Sequence, residues 1–171
     1  MRNTGQVYAY DEDAVRLRPI LERLKRAGAR NVQVLPAGDE AALAALGPRF
    51  DLVFIDAPCT GSGAWRRRPD AKWRLKPANL AQREEEQARL LDAAAGLVKP
   101  GGRLVYATCS VLPQENGDRL AAFLANHSGF EALPWRESWA KGVGSDPPPP
   151  SADGSDVTLL LTPARHGTAH V

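Results

Sequence analysis

FDLVFIDAPCTGSG, residues 50–63, gives the clearest indication of the fold class of this chain. It begins with a nearly continuous apolar run, Phe50 to Ile55, and changes at Asp56 to turn residues. A strand that is apolar on both faces is typical of a parallel sheet covered by helices. Groups that directly follow such a strand lie at the carboxyl edge of the sheet, where open α/β sheets bind their ligands. The stretch therefore predicts a parallel α/β sheet with a functional site directly after this strand.

Apolar strands and amphipathic helices alternate along the chain on both sides of this stretch. Strands are predicted at residues 6–10, 31–35, 50–55, 103–107 and 157–161. Helices are predicted at 15–24, 41–46, 79–98 and 115–125. We expect Asn79 to cap the third of these, and the same helix to bury one face that contains Leu80, Gln87, Leu90, Leu91, Ala94 and Leu97. Residues 57–77 and 146–151 are predicted as surface loops. Strands that alternate with helices favour an α/β fold with a doubly wound, mostly parallel sheet.

Length and composition indicate one soluble domain, residues 1–171. Hydrophobic residues make up 43% of the chain and charged residues 25%, which is ordinary for a globular protein. No apolar run reaches the length of a membrane span, and the start lacks the apolar segment of a secretory signal, so we expect a cytoplasmic protein without membrane contact. The net charge is only +2, so any attraction to nucleic acid must come from a local cluster such as residues 66–76.

Three aspartates follow the first three predicted strands: Asp11, Asp39 and Asp56. In nucleotide-like cofactor sites, carboxylates at strand ends accept hydrogen bonds from ribose hydroxyls or from the adenine amino group. The pattern predicts a site for an adenosine-bearing cofactor. The alternative is that Asp11 and Asp39 only cap the helices that follow them. Neither a Gly-x-Gly-x-x-Gly turn nor a phosphate-loop lysine pattern accompanies the three acids.

The chain has two cysteines, and each follows a predicted strand. Cys59 lies in the turn after residues 50–55, and Cys109 follows residues 103–107. This placement favours thiol chemistry, whereas the alternative is that both are small buried hydrophobes. A reducing compartment and the absence of a Cys-x-x-Cys pattern argue against a disulfide or redox pair. The histidines are too far from the cysteines in sequence to predict a metal site: His127, His166 and His170.

A basic and aromatic segment, WRRRPDAKWRLK at residues 65–76, follows the first cysteine turn. It contains six basic residues and two tryptophans, which can neutralise phosphates and stack on unpaired bases. The candidate RNA-binding residues are Arg66, Arg67, Arg68, Lys72, Trp73 and Arg74. The alternative is a solvated basic loop whose tryptophans are anchored in the core.

Asp-Ala-Pro-Cys at 56–59, together with Thr-Cys-Ser at 108–110, resembles the Sun-type (Nop/Fmu) RNA cytosine-C5 methyltransferases. The resemblance extends from residue 5 to residue 168, and the arginine-rich loop is most similar to that of the bacterial small-subunit ribosomal RNA enzymes. It implies a class I methyltransferase (Rossmann-like) fold, S-adenosyl-L-methionine as cofactor, ribosomal RNA as partner and 5-methylcytosine as product.

The resemblance also implies a role for each site residue. Cys109 would be the nucleophile that adds to carbon 6 of cytosine, and Cys59 would help to release the product. Carbon 5 of cytosine is too weakly nucleophilic to accept a methyl group directly. Addition of a thiolate at carbon 6 makes carbon 5 enamine-like, so that methyl transfer becomes possible. Asp56 would contact the polar edge of the base or the methionine end of the cofactor, beside the cofactor residues Asp11 and Asp39.

The chain departs from the family pattern at both ends. The family's glycine-rich cofactor loop precedes the position of Met1, and its pattern continues beyond the His-Gly-Thr at 166–168. We therefore expect a chain truncated at both ends that lacks the first and final strands and is inactive or marginally folded alone. Two alternatives stay open: a non-catalytic RNA-binding remnant, and a DNA cytosine-C5 methyltransferase in which Cys59 attacks. The target cytosine, the form of the RNA substrate and the oligomeric state are not predicted.

Overall fold

The computed structural model describes residues 3–143 and 147–167 and divides the chain into two compact units. The first unit consists of the described residues up to Asp51 together with Gly96–Gly102. The second consists of Leu52–Ala95 and the described residues from Arg103 onward. The single domain expected from the length stays a prediction. None of the helices in the described residues combines the length and the apolar character that a membrane span requires.

The first unit contains a short parallel sheet and three helices. Strand β1 (Val7–Ala9) pairs in parallel with β2 (Val32–Val34), and Tyr8 lies opposite Gln33. The helices are α1 (Ala14–Leu17), α2 (Ile20–Ala27) and α3 (Glu40–Ala44). Both strands and α3 confirm predicted elements with shorter bounds.

The single helix predicted at residues 15–24 is wrong, because the structure divides it at Pro19. Proline has no backbone N–H and its ring clashes with the preceding turn, so it cannot continue a helix. Here Pro19 instead starts α2 from the N-cap position with a φ of −71°. Gly28 ends α2 with a φ of 62°, a left-handed conformation that favours glycine.

The second sheet is formed by β3 (Phe50–Asp56) and β4 (Val98–Ala107). In the second unit, the Ala57 amide donates to the Ala107 carbonyl at 2.9 Å, so the two strands end side by side. This unit also contains α4 (Ala71–Arg74), α5 (Pro77–Ala95), α6 (Gly117–Asn126), α7 (Trp135–Gly142) and α8 (Pro163–His166). Single 3₁₀ turns lie at Ser62–Ala64 and Pro113–Glu115. Helices alternating with parallel strands confirm the predicted α/β class.

Helix α5 is the longest helix among the described residues, and it begins two residues before the predicted cap. Pro77 occupies the first helical position, where its missing N–H costs nothing. Asn79 accepts a hydrogen bond from the Lys76 amide at 3.2 Å from inside the first turn, so it is not the N-cap. Towards its other end α5 buries Leu91 and Ala94, which places the core of the second unit along this helix.

The strand predicted at residues 157–161 is wrong, because the structure has no strand there. The Leu160 amide donates to Ser151 Oγ at 2.8 Å, and the Leu160 carbonyl accepts from the Ala152 amide at 2.9 Å. Its backbone groups are therefore used by the neighbouring loop instead of a strand ladder. In the predicted surface loop 146–151, Asp146 lies outside the described residues and Ser151 is buried.

Candidate active site

The two cysteines meet in the second unit, at the carboxyl ends of β3 and β4. Cys59 Sγ lies 3.3 Å from Cys109 Sγ, and both side chains are half-buried. Parallel pairing of the two strands explains this meeting, because both strands deliver the residues that follow them to the same edge. The thiols are therefore close enough to act on one substrate atom or on its neighbour.

Two buried serines join the loops that carry the cysteines. Ser62 Oγ lies 2.9 Å from Ser110 Oγ, and Ser62 Oγ also accepts from the Val111 amide at 2.9 Å. The Gly63 amide donates to the Cys109 carbonyl at 3.0 Å. Gly61 has a φ of 67°, so the tight turn between Cys59 and Ser62 requires a residue that tolerates the left-handed region.

Burial and the neighbouring sulfur lower the acidity of the Cys59 thiol. Burial raises the pKa of the Cys59 thiol to about 12, and its hydrogen bond with Cys109 adds to the rise. Cys59 is therefore a neutral thiol at physiological pH. Since the thiolate is the nucleophilic form of cysteine, Cys59 is poorly suited to attack and well suited to hold a proton.

Asp56, the third predicted catalytic residue, ends β3 with an exposed carboxylate. Among the described residues, no side chain or amide hydrogen-bonds to that carboxylate. It is open to solvent beside the buried Ala57 that precedes the cysteine turn. An exposed carboxylate without a structural partner is available to a ligand.

The other two predicted cofactor residues lie in the first unit. Asp39 Oδ1 accepts from the Ala42 amide at 2.8 Å and so caps α3, as the capping alternative predicts. That alternative is wrong for Asp11, because the cap of α1 is Asp13, and Asp11 Oδ1 accepts from the Asp13 amide at 2.8 Å. Each of these carboxylates keeps an oxygen that can accept further hydrogen bonds.

Tyr10 adds an unsatisfied polar atom to this acidic edge of the first unit. Its hydroxyl is buried and has no hydrogen-bond partner in the described residues. Burial raises the pKa of Tyr10, and the charges of four nearby acids add to the rise: Glu40, Glu12, Asp39 and Asp11. A buried hydroxyl without a partner normally marks a place where a ligand or water completes the hydrogen bonding.

The basic loop presents its predicted RNA-binding side chains to solvent. The side chains of all six candidates are exposed, and Trp73 is 79% exposed. Lys72 Nζ lies 4.6 Å from the Trp73 ring centroid, and Arg74 forms a 2.5 Å ion pair with Asp70. Trp65 is half-buried, with its indole N–H enclosed, so only this tryptophan follows the alternative in which the rings are anchored in the core.

Two buried polar residues that were not predicted as site residues hydrogen-bond to the chain neighbours of Cys59. Gln87 and Glu115 have no exposed surface. Glu115 accepts hydrogen bonds from the Thr60 amide, the Thr60 hydroxyl and Gln87 Nε2. The only available signal in the sequence was a glutamine among the apolar positions of α5, since the partners of Glu115 are distant in sequence.

Comparisons with known proteins decide the family. A family model described as 16S rRNA methyltransferase RsmB/F matches residues 1–169. The chain belongs to the RsmB/F family. It is 38% identical over 150 residues to ribosomal RNA small subunit methyltransferase B of Sodalis glossinidius. The matched region covers 88% of this chain and 35% of that protein. This RsmB/F chain thus spans about a third of the length of the curated relatives it matches.

Solved structures confirm the predicted methyltransferase fold of this RsmB/F chain. The crystal structure of PH0851 superposes with a TM-score of 0.82 at 34% identity, covering 98% of this chain and 36% of that one. NSun6 from Pyrococcus horikoshii, solved with SFG, superposes with a TM-score of 0.75 at 26% identity, covering 96% of this chain and 39% of that one. The Rossmann-like α/β class implied by the resemblance is therefore confirmed.

The described histidines, for which the sequence predicts no metal site, have structural partners. His127 stacks on Phe123 in the core of the second unit, with ring centroids 4.2 Å apart. His166 binds the Pro150 carbonyl through Nε2 at 2.7 Å, and His170 lies outside the described residues. Among residues 3–143 and 147–167, no group of His, Cys, Asp or Glu has the arrangement of a metal site.

Proposed function

We propose that this chain carries the catalytic centre of an S-adenosyl-L-methionine-dependent RNA cytosine-C5 methyltransferase that acts on small-subunit ribosomal RNA. The observation that carries the proposal is the pair of thiols 3.3 Å apart at the carboxyl ends of β3 and β4. Membership of the RsmB/F family supports the substrate class, and the NSun6 structure with SFG, an S-adenosylmethionine analogue, supports the cofactor.

Cys109 is the proposed nucleophile. As a thiolate, its Sγ adds to carbon 6 of cytosine, and the electron pair of the C5–C6 double bond moves to carbon 5, which becomes able to accept a methyl group. Bound S-adenosyl-L-methionine supplies that methyl group. The carbon-5 proton then leaves to a base, its electron pair re-forms the C5–C6 double bond, and the S–C6 bond breaks to return the Cys109 thiolate.

Cys59 is proposed to assist the release step. Its raised pKa keeps the thiol protonated, so it can hold a proton close to Cys109 while the S–C6 bond breaks. Membership of the RsmB/F family, which is described as 16S rRNA methyltransferases, argues against the DNA-methyltransferase alternative, in which Cys59 would be the attacking thiol. Asp56 is proposed to contact the base or the cofactor through its exposed carboxylate.

The residues of the first unit fit the adenosine part of the cofactor. Within the described part of the chain, Asp11 and Asp39 each keep a free carboxylate oxygen for the ribose hydroxyls or the adenine amino group, and the nearby Tyr10 hydroxyl is buried without a hydrogen-bond partner. In the second unit, the exposed basic loop is proposed to bind RNA phosphates, with Trp73 as a stacking surface for an unpaired base.

A covalent trapping experiment tests the proposal on the native full-length protein. RNA that contains 5-fluorocytosine cannot lose its carbon-5 substituent as a proton, so the thiol remains bonded to carbon 6 and the complex survives denaturing electrophoresis. We expect Cys109→Ala to lose this band and Cys59→Ala to retain it. A band that persists in Cys109→Ala would show that Cys109 is not the nucleophile. RNA binding without any band in the unaltered protein would favour the non-catalytic remnant.

A further inference from the structure

Glu115 and the buried Gln87 fasten the chain on both sides of Cys59. Thr60 donates to Glu115 twice, from its amide to Oε1 at 2.8 Å and from its hydroxyl to Oε2 at 2.5 Å. Gln87 Nε2 donates to Glu115 Oε1 at 3.0 Å and to the Pro58 carbonyl at 2.9 Å. Pro58 and Thr60 are the chain neighbours of Cys59, so its backbone is held at both flanks.

Asn116 fastens the chain on both sides of Cys109 in the same manner. Its Oδ1 accepts from the Thr108 hydroxyl at 2.8 Å. Its Nδ2 donates to the Ser110 carbonyl and to the Leu112 carbonyl, each at 2.9 Å. Thr108 and Ser110 are the chain neighbours of Cys109, so this backbone is also held at both flanks.

The two anchors are consecutive residues, which couples the positions of the two thiols. One short backbone segment thus carries the side chains that hold both cysteine loops. The Tyr106 hydroxyl donates to the Glu115 carbonyl at 2.9 Å and ties this peptide to the end of β4. Neither Glu115 nor Asn116 is hydrogen-bonded to a cysteine sulfur, so their influence on the thiols passes through the flanking residues.

We propose that Glu115 and Asn116 are positioning residues that set the distance between the Cys59 and Cys109 thiols. This deepens the proposed function and rests on it for its effect on methyl transfer, whereas the distance itself is a property of the folded chain. Nucleophile and release group must reach the same cytosine, and misplacement of a reacting group by about 1 Å can lower a rate by about a hundredfold.

Oxidation by diamide measures this distance without any methyl transfer. Two thiols that lie close together lose two protons and two electrons to the N=N bond of diamide, which becomes a hydrazine, and they join as one disulfide. Peptide mass spectrometry of the native full-length protein follows the loss of two hydrogens through the disulfide-linked pair of peptides that contain Cys59 and Cys109. We expect the unaltered chain to form this intramolecular disulfide, since its sulfurs are 3.3 Å apart.

The variants separate positioning from folding. Glu115→Ala and Asn116→Ala should slow disulfide formation by about tenfold or more, because each frees one cysteine loop. Glu115→Gln should stay within about threefold of the unaltered chain, since its carbonyl can replace Oε1 and its amide can donate to the Thr60 hydroxyl. Gln114→Ala, an exposed neighbour, is the matched control and should change nothing. Circular dichroism identifies the variants that fold, and rates are compared among those.

Two results would overturn the proposal. One is an unaltered rate in folded Glu115→Ala and Asn116→Ala, which would leave these residues a purely stabilising role. The other is failure of the unaltered chain to form the disulfide, which would show that its thiols are not held together. In the full-length protein, Glu115→Ala should lower kcat with little change in KM for RNA, while Glu115→Gln restores kcat. A negative trapping result with normal disulfide formation would instead contradict the proposed function alone.

Discussion

At the scale of single residues, the environment of Cys59 opposes the ionisation of its thiol. Cys59 retains its proton well into the alkaline range, because burial and the hydrogen bond with Cys109 oppose its ionisation. The raised pKa of Cys59 follows from tertiary burial, which the sequence does not display. The sequence did predict that both cysteines follow parallel strands, and that placement was enough to bring them to one edge.

The pKa of Cys59 predicts a specific loss of stability in alkaline solution. Below pH 9.0 the thiol is protonated in both folded and unfolded chains and adds no pH dependence. Between 9.0 and about 12 the unfolded chain loses the proton while the folded chain keeps it, so the free energy of unfolding falls as the pH rises. The free energy of unfolding, measured with urea at several pH values in this range, should fall less steeply with pH for Cys59→Ser than for the unaltered chain. Parallel curves would contradict the raised pKa.

Asp39 allows its capping role to be separated from its proposed cofactor role. Asp39→Ser keeps a good N-cap for α3 but removes the carboxylate, so stability should change by less than about 0.5 kcal/mol while S-adenosyl-L-methionine affinity falls. Asp13→Ser is the matched control, because Asp13 caps α1 through the same kind of bond, to the Val15 amide at 2.8 Å. Calorimetric titration of the full-length protein measures both affinities. Equal affinities for the two variants would assign Asp39 to capping only.

At the scale of elements, local signals predicted what local physics controls. Residues 50–56 form a strand, as predicted by a short run rich in apolar, β-branched and aromatic residues that ends at the Pro- and Gly-containing turn 57–63. The prediction of one helix at 15–24 is wrong because Pro19 interrupts it, although the apolar spacing continues past that proline. The strand prediction at 157–161 is wrong for a different reason. Leu160 hydrogen-bonds to the 151–152 turn, and a strand-like sequence pattern does not reveal such a contact.

The basic loop is predicted to bind single-stranded RNA through both charge and stacking. Trp73→Ala should cost about 1–3 kcal/mol of binding free energy with little change in salt dependence, because stacking is not ionic. Arg67→Ala should instead reduce the slope of log affinity against log salt by about 0.7, as expected for one lost phosphate contact.

Filter binding at several salt concentrations measures both effects. Arg89→Ala on α5 is the control, since Arg89 is exposed but lies outside the loop and pairs with Glu85 at 3.6 Å. We expect its affinity and salt slope to equal those of the unaltered protein. If Arg89→Ala and Arg67→Ala weaken binding equally, the loop is not a specific RNA contact.

At the scale of the whole molecule, charge and apolar surface are distributed in a way that the composition does not reveal. A net charge of +2 conceals an acidic edge around Tyr10 in the first unit and an exposed basic loop in the second. The overall composition also does not show which apolar side chains are exposed to solvent. Three of these lie in the second unit, on the paired strands β3 and β4, where Leu52 is 56% exposed, Phe54 62% and Val105 40%.

These exposed strand residues predict concentration-dependent self-association of the 171-residue chain. Leu52 and Phe54 are two residues apart on β3, so they share one face of the strand, and contiguous exposed apolar surface on a sheet promotes association. Phe54→Thr keeps a good strand former but removes the ring, and it should raise the apparent dissociation constant several-fold in sedimentation velocity. Leu21→Ser on α2 is the control, because Leu21 is 66% exposed but lies on another surface element. An equal shift in both variants would assign the association to general hydrophobicity instead of to this strand face.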